Sequence, residues 1–230
     1  MKTSIRVWDL PTRLFHWLLV ASFAGAWLTA ESERLQLIHV TLGYTVAGLI
    51  AFRLVWGVTG TRWARFRSFL PSPSAAINYA KALIGKAPEK HYTGHNPLGA
   101  LAVYALLLLG IIVTASGYGY LQQDQDWLEE AHELAANGML ALVILHVAGV
   151  VISSLKHKEN LVRGMVTGRK TGEPEEAIPG NRVIPGLLLA AVVGGFWLVA
   201  WQQPAAIGLT AAKTAETTGA AARGSDGDDD

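Results

Sequence analysis

Five long apolar segments dominate the pattern of hydrophobic and polar positions along this chain of 230 residues. They cover residues 14–30, 35–58, 97–118, 133–155 and 183–201. Each reaches or approaches the length of about 20 residues that a helix needs to cross a bilayer. The first segment contains Trp17 and Trp27 and ends without a small-x-small cleavage site, so we interpret it as a mature helix rather than a signal peptide. The pattern predicts an all-α integral membrane protein with five transmembrane helices.

The connections between these segments predict the remaining organisation. Asp9 is a good N-cap for the first helix, and Pro11 suits its first turn. Between the second and third spans, SPSAAINYAKALIGK has helical spacing and is expected to lie on the inner membrane surface. We divide the chain into a membrane domain (1–165), an irregular cytoplasmic linker (166–182), the fifth helix (183–201) and a disordered acidic tail (202–230).

Composition agrees with a membrane protein. The chain is 51% hydrophobic and 16% charged, with a mean hydropathy of +0.29, which is more apolar than a soluble domain of this size. There is no cysteine, which excludes disulfides, iron–sulfur ligation by this chain and covalent c-type haem attachment. Nothing in the sequence indicates a nucleic-acid partner.

Basic residues concentrate in alternate connections. The N-terminus and the connections after the second and fourth spans carry Lys2, Arg6, Arg13, Arg62, Arg65, Arg67, Lys81, Lys86, Lys90, Lys156, Lys158, Arg163, Arg169 and Lys170. The opposite connections and the tail are richer in acids. The positive-inside rule therefore predicts a multi-pass protein of the bacterial inner membrane, with a cytoplasmic N-terminus and a periplasmic C-terminus.

Four histidines in or at the ends of the apolar segments are the candidate functional residues. His132 and His146 lie fourteen residues apart on one predicted helix, which is close to four turns, so both side chains leave the same face about 21 Å apart. Helix direction places His39 with His132 near the periplasmic face and His16 with His146 in the inner half. The predicted pairs are therefore His39 with His132 and His16 with His146.

Two imidazoles at each depth favour haem over a small metal site. Zinc and copper sites normally use three or four converging ligands, whereas two facing ligands suit a b-type haem. Gly43 and Gly48 either let a macrocycle approach the backbone or permit close helix packing. With histidine on both sides of each iron, electron transfer is the remaining chemistry, and no catalytic residue is predicted.

Two further features have competing interpretations. Arg53 lies within an apolar segment, where it either binds a haem propionate or extends to the membrane interface. His91 and His95 lie four residues apart, but Gly94 and the Asn96-Pro97 pair indicate a turn rather than a metal-binding helix.

The chain resembles the bacterial cytochrome b561 family, which is related to the cytochrome b subunits of nickel–iron hydrogenases, formate dehydrogenases and thiosulfate reductases. The motifs are RVWDLPTRLFHW, His39 with FRLVWGVTGTRWARF, GHNPLGALA, and His132 with His146. The resemblance covers residues 6 to about 164. It implies a four-helix core with two haems b on the four histidines, and a quinone site near the inner haem and His146. The fifth span and the acidic tail depart from this core.

These features and the resemblance are compatible with two electron-transfer functions and with a third, non-redox function. The chain is either a quinone-linked electron-transfer component with a periplasmic partner such as a c-type cytochrome, or the membrane anchor of a larger hydrogenase, formate dehydrogenase or reductase complex. In the second case the catalytic metals lie in other subunits. A bundle that uses its histidines as proton relays is the third interpretation.

Overall fold

The computed structural model describes residues 3–70, 72–85 and 92–209, and within these ranges the chain is mostly helical. The helices are α1 (Leu10–Leu28), α2 (Gln36–Thr59), α3 (Pro73–Ile84), α4 (Pro97–Gln123), α5 (Asp126–His157), α6 (Leu161–Thr167) and α7 (Val183–Gln202). Two short strands, β1 (Thr3–Arg6) and β2 (Arg169–Gly172), complete the regular structure together with single 3₁₀ turns at Glu33–Leu35, Phe66–Ser68, Pro174–Glu176 and Pro204–Ile207.

Four of the five predicted spans coincide with helices that are long and apolar enough to cross a membrane, in the part of the chain that the structure describes. These are Glu33–Thr59, Pro97–Gln123, Asp126–His157 and Val183–Gln202. The first predicted span lies in α1, which has 19 residues and includes Arg13 and His16, so its hydropathy is lower. A membrane crossing by α1 stays a prediction.

Side-chain caps define where several helices begin. Asp9 accepts a hydrogen bond from the Thr12 backbone N–H at 2.9 Å, and Pro11 lies in the first turn of α1, as predicted. Asn96 caps α4 by accepting from the Gly99 N–H at 2.7 Å, which confirms the turn predicted before Pro97. The helix predicted between the second and third spans is also confirmed, as α3, whose cap is Ser72.

The helices pack as two pairs with a gap between them. α1 packs along α2 and α4 along α5, while α2 and α4 join the pairs through Val46, Ile50 and Leu107. Among the described residues, α5 makes no extensive contact with α1 or α2. α7 lies against α1, where Leu189 and Val193 meet Phe15 and Leu49. The gap between α5 and the α1–α2 pair is where the candidate histidines lie.

A two-stranded ribbon lies at one end of the bundle and gives regular structure to part of the linker that was expected to be irregular. β1 pairs with β2 in antiparallel register, from Thr3 opposite Gly172 to Arg6 opposite Arg169. The ribbon continues where the Val7 and Trp8 N–H groups donate to the Gly168 carbonyl at 2.8 and 3.1 Å. It therefore fastens the start of α1 to the segment that follows α6.

The first residues of the predicted disordered tail are packed against the helices. Ile207 and Leu209 are buried together with Ala200, against side chains of α2, α4 and α7. The prediction of disorder from residue 202 is therefore wrong for residues 202–209. Residues 210–230, where the acidic end of the tail falls, lie outside the described residues.

Candidate functional site

His39 and His132 face each other across the gap. Their ring centroids are 6.0 Å apart and their planes meet at 79°. The Nδ1 of His39 lies 2.8 Å from the Ala26 carbonyl oxygen, and the Nδ1 of His132 lies 2.8 Å from the Val113 carbonyl oxygen. A carbonyl oxygen only accepts hydrogen bonds, so both Nδ1 atoms donate, and each Nε2 keeps a free lone pair. Both rings are thereby oriented as metal ligands.

Gly117 on α4 provides the space that the His132 ring occupies. A Cβ at this position would lie 2.8 Å from both Cε1 and Nδ1 of His132, closer than two such atoms approach one another. The absence of a side chain at Gly117 therefore decides where the His132 imidazole can sit.

His16 and His146 lie at the other end of the gap. His16 is on α1, packed edge-on against Trp17 with ring centroids 5.0 Å apart, and His146 is within electrostatic range of it. The Nδ1 of His16 is buried and has no hydrogen-bond partner among the described residues. A buried nitrogen without a partner is costly to leave in place, so this ring is suited to a ligand that the protein alone does not provide.

Arg53 is buried on α2 near the His16 and His146 end. It is 3% exposed, so the interpretation that it extends to the membrane interface is wrong. Its guanidinium carbon lies 4.7 Å from the centroid of the Phe66 ring, and Nη1 has no hydrogen-bond partner in the described part of the chain. A buried cation with an unused donor is a strong candidate for binding an anion.

His95 belongs to the same end of the gap, although sequence analysis did not include it in the site. Its ring lies 4.2 Å from the Phe69 centroid and 4.9 Å from the Trp8 centroid. Burial lowers the pKa of His95 to about 3, and the charges of Arg53, Lys170, His146 and His16 act in the same direction. His95 is therefore neutral at physiological pH. In the sequence, His95 directly precedes Asn96, the cap of α4. That position is the signal that could have assigned His95 to this end of the gap.

Lys170 of the ribbon holds the segment that carries His95. Its Nζ donates to the carbonyl oxygens of Tyr92 and Thr93 at 3.0 and 3.1 Å and lies 3.5 Å from Glu159 Oε2. Burial lowers the pKa of Lys170, and Glu159 opposes that shift. The ribbon thus contributes to the His16 and His146 end of the site through this lysine.

Asp9 ties α1 to the end of α2 beside Arg53. The carboxylate is completely buried, and it accepts hydrogen bonds from Trp56 Nε1 at 3.2 Å and from Thr61 Oγ1 at 2.6 Å. Together with the Thr12 N–H these donors satisfy the buried charge. Asp9 therefore sets the position of α1, and with it His16, relative to Arg53.

The residues fit a haem better than a bare metal ion. Metal–imidazole bonds are about 2 Å long, so two imidazoles on opposite sides of one iron have ring centroids roughly 6 Å apart, close to the 6.0 Å between His39 and His132. No group of three or more metal-binding side chains converges within the described ranges. Gly43 and Gly48 face open space with nothing within 4 Å of an added Cβ, so close packing does not explain them.

Comparison with known proteins gives the family. The family model for prokaryotic cytochrome b561 matches residues 7–168. Curated relatives include a probable Ni/Fe-hydrogenase B-type cytochrome subunit of Rhodobacter capsulatus, 23% identical over 74% of this chain and 82% of its own length. The corresponding protein of Azotobacter vinelandii is 24% identical over 73% of this chain and 88% of its own length.

A shorter relative matches little more than half of this chain. Cytochrome b562 of Cereibacter sphaeroides is 25% identical over 57% of this chain and 94% of its own length. No solved structure matches the chain. The family match spans most of the chain, from just before α1 to the end of α6. The chain therefore belongs to the prokaryotic cytochrome b561 family and is a multi-pass bacterial membrane cytochrome b that binds haem b and takes part in electron transfer.

Proposed function

We propose that the chain transfers electrons across the inner membrane through two haems b, between the quinone pool and a redox partner at the periplasmic face. His39 and His132 would hold one haem, and His16 and His146 the other. The observation that carries this proposal is that the His39 and His132 rings face each other, while both Nδ1 atoms donate hydrogen bonds to backbone carbonyls.

The protein groups have distinct tasks in this function. Haem b, when bound, supplies reversible one-electron chemistry at iron. The Ala26 and Val113 carbonyls orient the outer imidazoles and raise their basicity. With two histidines holding each haem, no iron site would be left open to oxygen or substrate, which favours electron transfer over catalysis.

Arg53 and His95 would bind the propionates of the inner haem. Arg53 brings a buried positive charge and an unpaired Nη1, and the neutral His95 brings one N–H group. Both pack against Phe69, with Arg53 Cζ 5.9 Å and the His95 ring 4.2 Å from its centroid. A guanidinium is well matched to a carboxylate in a dry environment.

The orientation follows from the charges of the connections. The ribbon, α3 and α6 lie at the basic end and would face the cytoplasm. In this orientation α1 is the first of five crossings, α7 is the fifth, and residues 202–230 are periplasmic. Quinone exchange would take place near the inner haem and His146, as the family resemblance implies.

The second candidate function is that of a membrane anchor for a catalytic subunit. It is favoured by the names of several relatives, which are probable Ni/Fe-hydrogenase B-type cytochrome subunits. A hydrogenase large-subunit gene beside this one would support the anchor, and a small c-type cytochrome gene would support the independent electron carrier. Both functions use the same two haem sites.

The decisive test is the number of haems per chain. The purified protein is expected to contain two haems b per polypeptide by the pyridine haemochrome assay. Its reduced-minus-oxidised spectrum should show a b-type α band that titrates in two potential steps. One haem per chain would contradict the two pairs, and the absence of a b-type band would favour the proton-relay interpretation.

Gly117→Ala is expected to damage the outer site selectively. The added methyl group would lie 2.8 Å from the His132 ring, so the imidazole must turn away from its bond with Val113. Haem content should fall from about two towards one per chain, and the remaining α band should belong to the inner site. Gly195→Ala is the matched control, because nothing lies within 4 Å of a Cβ at that position of α7. Unchanged haem content in Gly117→Ala would refute this role of the glycine.

A further inference from the structure

Three arginines line a shallow recess at the end of the bundle where α2 terminates. The recess has a volume of about 500 Å³ and is lined by Arg62, Arg65, Arg67 and Ser68. Among the residues that the structure describes, no acid takes part in the lining. None of the four candidate haem-binding histidines lines the recess, and the electron-transfer function assigns it no task.

Contacts with the rest of the protein hold the backbone turn that carries the arginines. Thr61 and Ala64 are buried, Thr61 donates to Asp9 at 2.6 Å, and Trp63 Nε1 donates to the Glu176 carbonyl oxygen at 2.8 Å. The arginine side chains are thus held on a rigid support, which reduces the entropy that a ligand must overcome.

The arginines keep most of their donors available. Arg62 donates to the Glu175 carbonyl oxygen at 3.3 Å and stacks on Trp63 at 4.6 Å, and Arg65 Nε donates to the Gly60 carbonyl oxygen at 2.8 Å. These are contacts to neutral carbonyls. Within the described ranges none of the three guanidiniums forms an ion pair with a carboxylate. The recess therefore carries three positive charges that no described acid neutralises.

Exposed apolar residues that flank the arginines in the sequence indicate the rest of the ligand. Val58, one turn before the arginines, is 72% exposed, Val55 is 62% exposed, and Leu70 after them is 70% exposed. The apolar span of α2 ends at Thr59, so the recess lies where the hydrocarbon core gives way to the headgroup layer. A ligand that fills both regions has an anionic head and hydrocarbon chains.

We propose that this recess binds the headgroup of an anionic glycerophospholipid, with the phosphodiester among the three guanidiniums and the acyl chains along Val55, Val58 and Leu70. Arginine forks bind phosphate oxygens in pairs. Basic clusters at the membrane surface attract anionic lipids. The lipid would also secure the turn that contacts Asp9 and, through it, the start of α1.

The test is lipid binding by the full-length haem-loaded protein in detergent. Phosphatidylglycerol, phosphatidylcholine and inorganic phosphate are titrated separately, and bound molecules are counted by native mass spectrometry. The wild type should retain phosphatidylglycerol and neither of the others. The variant Arg62→Gln/Arg65→Gln/Arg67→Gln should bind phosphatidylglycerol about 100-fold more weakly, since each surface cation contributes about a fivefold effect.

A matched control removes three cations outside the recess, in the variant Lys81→Gln/Lys158→Gln/Arg163→Gln, which should bind like the wild type. Equal weakening in both triple variants would show a general charge effect and overturn the proposal. Wild-type binding in the arginine variant, or inorganic phosphate bound as tightly as phosphatidylglycerol, would also overturn it. If the triple variant does not retain its haem spectrum, Arg62→Gln and Arg67→Gln are measured singly, with about fivefold weakening expected for each.

Discussion

Replacement of His132 by alanine is expected to remove the outer haem and leave the inner haem in place. The substitution deletes the imidazole that faces His39 at a centroid distance of 6.0 Å, and iron held by one remaining axial histidine is bound much more weakly. Haem content should fall from about two to about one per chain. The potential step that remains should match the inner haem of the wild type.

The complementary variant and a control make the assignment of pairs specific. His146→Ala should give the opposite pattern, with the inner haem lost and the outer haem kept. His157→Ala lies on the same helix, outside both predicted pairs, and should retain both haems. Equal loss of both potential steps in His132→Ala would contradict the pairing of His39 with His132.

The histidine pattern could be predicted from the sequence because it follows from helix geometry. The separation of fourteen residues between His132 and His146 places both side chains on one face of any straight helix. The direction of the chain then decides which partner each can reach. The structure brings His39 and His132 together as this reasoning predicts, whereas binding of haem by these residues stays a prediction.

The features that sequence analysis missed all depend on contacts between distant segments. The ribbon pairs β1 with β2 across more than 160 residues, and strands of four residues have too little pattern to be recognised. Burial of Ile207 and Leu209 depends on a surface formed by three helices. His95 joins the site because Lys170 holds the preceding backbone, and no local spacing encodes that contact.

Whether the Arg53 side chain is buried could be decided only from the structure, because the sequence allowed two opposite outcomes. An arginine six residues before the end of α2 has a side chain long enough to reach the interface. Phe66 and Phe69 cover it instead, since the turn after α2 folds back over the helix. The guanidinium is therefore enclosed by aromatic rings, with one nitrogen left for an anion.

Arg53→Leu is expected to lower the midpoint potential of the inner haem by about 60 mV, equivalent to a tenfold change in a one-electron equilibrium. Removal of a nearby positive charge makes the reduced state less favourable, and the propionate loses its buried partner. Potentiometric titration of the α band measures the shift, with the outer haem of the same molecule as an internal reference. Leucine fills the buried volume, so loss of packing is limited.

Arg53→Lys separates charge from shape at the same position. Lysine keeps the positive charge but not the planar fork, so the potential should fall by less than in Arg53→Leu while haem content stays near that of the wild type. If the inner potential is unchanged in Arg53→Leu, or both haems shift equally, the guanidinium does not bind the inner propionate. Its burial among Phe66 and Phe69 would then reflect cation–π packing alone.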